Sequence, residues 1–215
     1  MKLSELVYPK TLNSRINKDF DIDKLSKIAD RKMAGGNAGI NAYGNINPKD
    51  PHEFEKKTYL PIKLQNDGYY QYVTAIAPYI ESNIFLPRVY VVEIVSDSSG
   101  QVIPKYKIEA LHKPEEFSDE SITGLANQVF DKTTPLIGGE KAWKIIAERL
   151  RRAFVGAEEI EYLTSNKQLI QAVGIIRKLL KENRSFYADM HTGNIMIRGT
   201  SVGPQLVITD PLGQH

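Results

Sequence analysis

Cysteine is absent from the 215-residue chain. That excludes a disulfide framework, a thiolate metal site and a cysteine nucleophile. Long apolar runs are missing too: no stretch approaches the roughly 18 residues a membrane helix requires. The opening MKLSELVYPKTLNSR has no apolar signal core. Neither sign of charge dominates. The 28 basic and 26 acidic residues leave a formal charge of +2, so bulk electrostatics gives no reason to expect a nucleic-acid or membrane partner. The four histidines (52, 112, 191 and 215) show no ligand spacing, which argues against zinc. Internal repeats and low-complexity tracts are also lacking. What is present is ordinary: 41% apolar and 25% charged residues, close to the soluble average. The length suits one domain or two small lobes with a real core. The expectation is a soluble, intracellular protein.

The pattern along the chain changes near Leu111. Before it, strand and turn signals dominate. Residues 21–32 place Leu25, Ile28 and Ala29 on one helical face, and a glycine-rich stretch follows with glycine at 35, 36, 39 and 44. Residues 45–56 read as a polar loop, punctuated by Pro48 and Pro51. Thr58 to Leu64 reads as an edge strand because of Pro61. Residues 69–82 read as a helix interrupted near Pro78, with two of Tyr69, Tyr70 and Tyr72 packing inward. Strands over 87–95 and 102–111 flank a DSSG turn at 97–100. After Leu111 the period becomes helical, over 119–132, 140–154 and 167–182. The third of these carries Leu169, Ala172, Val173, Ile176, Leu179 and Leu180 on one stripe. Two short strands, 194–198 and 205–209, close the sequence as a hairpin around GTSVGP.

Chemistry concentrates in Ser185 to Leu212 (SFYADMHTGNIMIRGTSVGPQLVITDPL). Asp189 is followed five residues later by Asn194, and Asp210 lies 21 residues beyond Asp189, across the predicted hairpin. Carboxylate and carboxamide oxygens are the hard ligands that Mg²⁺ takes. A phosphoryl transfer also needs a carboxylate that orients the acceptor hydroxyl and can take its proton. A five-residue spacing within a tight loop lets two such groups face one cleft, and a hairpin can return a second carboxylate to it.

This stretch resembles the catalytic core of the protein-kinase-like superfamily. Asp189-Met-His-Thr-Gly-Asn194 matches the D-x-x-x-x-N catalytic loop, in the variant form with His191 and Gly193 that is similar to aminoglycoside and choline phosphotransferases. Thr209-Asp210-Pro211 stands where D-F-G would. The run as a whole is most similar to the early serine/threonine protein kinases of T7-like bacteriophages. The resemblance implies an α+β, compact bilobal fold. Residues 1–110 would be a β-rich N-lobe with a glycine-rich loop and a strand lysine, and residues 111–215 a reduced helical C-lobe. It implies ATP and Mg²⁺ as cofactors, Asp189 as catalytic base, and Asn194 and Asp210 as metal ligands. In the N-terminal half it implies that Gly35, Gly36 and Gly39 approach the phosphates and that Lys63 contacts them. Lys56 and Lys57 are the neighbouring candidates for that lysine. Glu109 to Leu111 would lie beside the adenine through backbone groups. No glutamate is assigned as the partner of Lys63.

Two departures shape the expectation. Tyr187-Ala188-Asp189 replaces H-R-D, which removes the usual phosphate-sensing arginine. The chain runs only five residues past Asp210, so an activation segment and a peptide-binding subdomain are not expected. Three functions are weighed. The first is a phage-type serine/threonine kinase modifying host proteins in the host cytoplasm. The second is a kinase-shaped module that docks on and inhibits a host protein. The third is a small-molecule phosphotransferase. Arg149, Arg151 and Arg152 are read as a solvated helix face, with contact to an acidic partner as the alternative.

Overall fold

Asp67 starts the first helix by turning its carboxylate back to accept from the Tyr70 N–H at 3.0 Å, which satisfies a helix-start donor that has no partner within the helix. The computed structural model to which this helix belongs describes residues 38–39, 46–47, 50–58, 67–96, 102–109, 111–131 and 138–214. The described residues form an α+β structure of helices and small antiparallel sheets. They divide into two compact units. One runs to Pro78 and resumes over Arg88–Ala110; the other comprises Tyr79–Pro87 and Leu111–His215. No helix among the described residues is long and apolar enough to cross a membrane.

The first unit is an antiparallel sheet with one helix. Strands β1 (Ala38–Gly39), β3 (Asp50–Thr58), β5 (Val102–Glu109) and β4 (Val89–Ser96) lie in that order, and β2 (Ile46–Asn47) also pairs with β3. Helix α1 (Gly68–Ile76) buries Tyr69, Tyr72, Val73 and Ile76. It meets β5 edge-on, the Tyr69 and Tyr106 rings lying 4.7 Å apart at 89°, the geometry that ring quadrupoles favour. The helix passes into a 3₁₀ turn over Ala77–Tyr79, where Pro78 cannot donate to continue it. Pro104 sits within β5, yet the β3 ladder covers only Lys105 to Glu109. On that side Pro104 lies just past the last pairing, where a missing N–H costs little.

The second unit is built on three helices: α2 (Asp119–Val129), α3 (Gly139–Phe154) and α4 (Lys167–Glu182). Their apolar stripes supply its core, including Ile122, Leu125, Trp143, Ile146, Leu150, Leu169, Val173 and Ile176. Ser118 caps α2 by accepting from Ser121 N–H, and Asn166 caps α4 by accepting from Gln168 and Leu169 N–H. Asn83 ties the Tyr79–Pro87 segment to α4. It donates to the Gln168 carbonyl at 2.7 Å and to Gln171 Oε1 at 3.0 Å, and accepts from Phe85 N–H. Two hairpin strands, β7 (Ile195–Thr200) and β8 (Gly203–Ile208), pair with each other, as do the shorter β6 (Phe186–Ala188) and β9 (Leu212–Gln214).

The structure departs from the sequence reading in several places. Residues 46–47 and 50–56 are strand rather than polar loop. Pro51 is accommodated because the β2–β3 register shifts there, Asn47 facing Asp50 while Ile46 faces Phe54. A bulged stretch has no ladder bond to lose. The hairpin loop read as GTSVGP narrows to Ser201 and Val202, since Thr200 pairs with Gly203, whose φ of +122° a side chain rarely adopts. The pair β6–β9 went unread. The expected helix at 21–32, most of the strand at 58–64 and the 97–100 turn lie outside the described residues.

Candidate active site

The loop after α4 is positioned by short-range polar contacts. Asn183 ends the helix and accepts from both the N–H and the hydroxyl of Ser185, turning the chain into β6. The β6–β9 pairing runs one step further through Asp189 N–H, which donates to the Pro211 carbonyl at 3.0 Å. Residues 191–194 then close a turn, Asn194 N–H donating to the His191 carbonyl at 3.0 Å. From there the chain enters β7.

Asn194 connects the three residues of interest. It is buried, at 7% exposure. Its side-chain N–H₂ donates to the Asp189 carbonyl. Its own carbonyl accepts from Thr209 N–H at 2.9 Å and, more weakly, from Asp210 N–H at 3.5 Å. Residues 189, 194 and 210 therefore belong to one hydrogen-bonded assembly of backbone and amide groups. With its nitrogen engaged, the Asn194 carboxamide keeps Oδ1 as its acceptor.

His191 borders this assembly. Gly193 N–H donates to its Nδ1 at 3.0 Å, so the neutral ring carries its proton on Nε2. That nitrogen faces Asp189 Oδ1 at 4.0 Å, with the imidazole 59% and the carboxylate 39% exposed. The distance is too long for a hydrogen bond. Asp189 is thus reachable from solvent.

Among the described residues, no group of three His, Cys, Asp or Glu side chains could hold a metal. The candidate set at this loop is mixed instead, two carboxylates with a carboxamide, all oxygen donors of the type Mg²⁺ prefers. Thr209 adds an unexpected feature. It is 9% exposed, and among the described residues its hydroxyl has no hydrogen-bond partner. Leaving a buried hydroxyl unsatisfied costs about 1–3 kcal/mol. Adjacency to Asp210 was its only signal in the sequence.

The other expected site residues fall elsewhere. Gly35, Gly36 and Lys63 lie outside the described residues. Gly39 sits on β1 opposite Lys57, and Lys56 faces Tyr106 across β3 and β5. Glu109, in the first unit, is buried. Its N–H donates to the Arg88 carbonyl and its carboxylate accepts from Arg88 N–H at 2.8 Å. Leu111, in the second unit, is buried in a cluster with Met196 and Val207, and its neighbour His112 exchanges backbone hydrogen bonds with Ile197. Of the α3 arginines expected on a solvated face, Arg151 and Arg152 are exposed, whereas Arg149 is half-buried and among the described residues its Nη1 has no hydrogen-bond partner. Arg151 pairs with Glu148 at 2.8 Å, Arg152 approaches Glu158 at 3.6 Å, and the Arg149 guanidinium lies 5.0 Å from the Phe130 ring centre.

Comparison with known proteins gives no match to any family model, curated protein or solved structure. The functional reading accordingly rests on the residues and their geometry.

Proposed function

We propose that the chain is an ATP- and Mg²⁺-dependent phosphotransferase of kinase-like bilobal fold, acting as a phage-type kinase on serine or threonine of host proteins. The observation that carries this reading is the role of Asn194, which holds the Asp189 carbonyl through its amide and the Thr209–Asp210 backbone through its carbonyl. That assembly is what a D-x-x-x-x-N loop with a returning aspartate needs. The α+β content, with a strand-rich first unit and a helical second, is compatible with it.

The donor set suits the implied metal. Asn194 Oδ1 and the Asp210 carboxylate are the residues that would hold Mg²⁺, whose charge neutralises and orients the triphosphate. The remaining chemistry belongs to Asp189. Its carboxylate orients the acceptor hydroxyl and takes its proton, while the acceptor oxygen bonds to the γ-phosphorus and the bond to the β,γ-bridging oxygen breaks, releasing ADP. The exposure of Asp189 leaves its carboxylate open to an acceptor hydroxyl arriving from solvent.

The test is transfer of radiolabelled phosphate from ATP to proteins of a host lysate. The wild type should label them, and Asp189→Ala should reduce the rate by about 10²-fold or more, the usual contribution of a positioned base. A wild type that labels nothing above Asp189→Ala overturns the protein-kinase assignment and leaves docking on a host protein and small-molecule phosphotransfer as the surviving readings.

A further inference from the structure

Trp143 is the only tryptophan in the chain. It lies early in α3 and is 2% exposed. A buried indole N–H needs an acceptor. Here it donates to the Thr192 carbonyl at 3.1 Å, a contact spanning 49 positions of sequence. Thr192 itself is exposed, as are His191 and Gly193. The turn at 191–194 thus stands in solvent, with one of its carbonyls tied to the helical core.

The tied group belongs to the peptide unit joining Thr192 to Gly193. The other end of that unit, Gly193 N–H, donates to His191 Nδ1 at 3.0 Å. A peptide unit is planar, so bonds at both its carbonyl and its N–H fix the tilt of the whole plane. The next residue is Asn194. Rotation of the 192–193 plane would swing Asn194 away from the bonds it makes to Asp189, Thr209 and Asp210.

We propose that Trp143 is a positioning residue for the candidate active site: with His191 it clamps the Thr192–Gly193 peptide and thereby sets the orientation of Asn194. Its consequence for metal binding and phosphoryl transfer rests on the kinase reading above; the clamp itself does not. Helix α3 reaches the loop through the indole N–H of Trp143. The exposed imidazole completes the clamp from within the turn.

The decisive experiment is amide hydrogen exchange by NMR on the full chain, comparing wild type, Trp143→Phe, His191→Ala and the double variant. Phenylalanine keeps an aromatic ring in the core but removes the indole donor together with part of the buried ring, whereas His191→Ala alters only an exposed side chain, so the fold is retained in at least one arm. Loss of one hydrogen bond should speed exchange at Gly193 and Asn194 by about tenfold, with little change on α2 or in the core of α4. The two substitutions should be non-additive, because they act on one peptide plane. Unchanged exchange at Gly193 and Asn194, or a uniform acceleration across the second unit, would overturn the clamp and leave Trp143 as packing alone. Mn²⁺ titration in the presence of a non-hydrolysable ATP analogue then separates the two ideas. Weaker Mn²⁺ binding in Trp143→Phe supports positioning of the metal ligands. Absence of Mn²⁺ binding to the wild type counts against the kinase reading, while the exchange data still decide the clamp.

Discussion

Gly213 lies opposite Tyr187 across β6 and β9, and a Cβ added there would meet the Tyr187 ring at 2.2 Å. The tyrosine ring lies across the glycine, an arrangement that lends side-chain cover to a residue having none. Gly213→Ala is therefore expected to destabilise, by less than the roughly 1–3 kcal/mol of overpacking in a core because the exposed Tyr187 ring can shift. Urea unfolding measures it, and removing the ring in Gly213→Ala, Tyr187→Ala should restore part of the loss. An alanine variant at the wild-type midpoint would contradict this packing. Asn194 presents a different case. Asn194→Ala leaves the Asp189 carbonyl without its amide donor, and about 1–3 kcal/mol of stability should go with it. Asn194→Asp should also lose that bond while keeping an oxygen for a metal, so only the alanine should abolish Mg²⁺-dependent ATP binding.

Helix α4 and the segment it anchors test the element scale. Asn166 caps the helix start with two backbone N–H groups. Asn166→Ala should cost about 0.5–2 kcal/mol, read from thermal or urea unfolding. Elsewhere, Arg177 on α4 grips Glu159, beside the 3₁₀ turn Ile160–Tyr162, at 2.9 Å. The hydrogen bond and charge of Arg177 hold the Glu159 carboxyl below its ordinary value of 4.5. A carboxylate lowered in the folded state adds stability above its unfolded value and loses it as pH falls through the folded one. Arg177→Met should therefore lower the melting midpoint at pH 7, and the difference should fade as pH drops well below 4.5. A difference that persists in strong acid would point to packing of the arginine stem instead. The helices were the most legible elements, because a stripe such as Leu169, Val173, Ile176 and Leu180 repeats over about three turns. The strand at 50–58 was not, since Pro48 and Pro51 read locally as loop while pairing with β5 decides the outcome. Strands of three residues, such as β6 and β9, are too short to show any period.

For the whole molecule, the near balance of charge noted at the outset has a structural counterpart. Arginines 151 and 152 of α3 and Arg177 of α4 each meet a glutamate of the second unit, while Arg149 lies against the Phe130 ring. The candidate site was legible to the extent that it is local. Asp189, Asn194 and Asp210 fall within one short stretch of sequence, and a hairpin explains how the last returns to the first two. The contacts that hold this stretch were not legible. The indole of Trp143 reaches Thr192 across 49 positions, and no spacing rule connects them. The orphan hydroxyl of Thr209 is likewise a property of burial, which sequence does not display.

The central claim is that Asn194 and Asp210 form one Mg²⁺-nucleotide site. The most direct measurement is the melting midpoint of the full chain with ATP, with and without Mg²⁺, for the wild type and Asp210→Ala. Ligand at about 100 times its dissociation constant stabilises by roughly 2.7 kcal/mol, which for a chain of this size raises the midpoint by about 5–10 °C. The account predicts that rise for the wild type with ATP and Mg²⁺ together, and its loss either without Mg²⁺ or in Asp210→Ala. No rise under any condition, or an equal rise in the variant and without the metal, would contradict it.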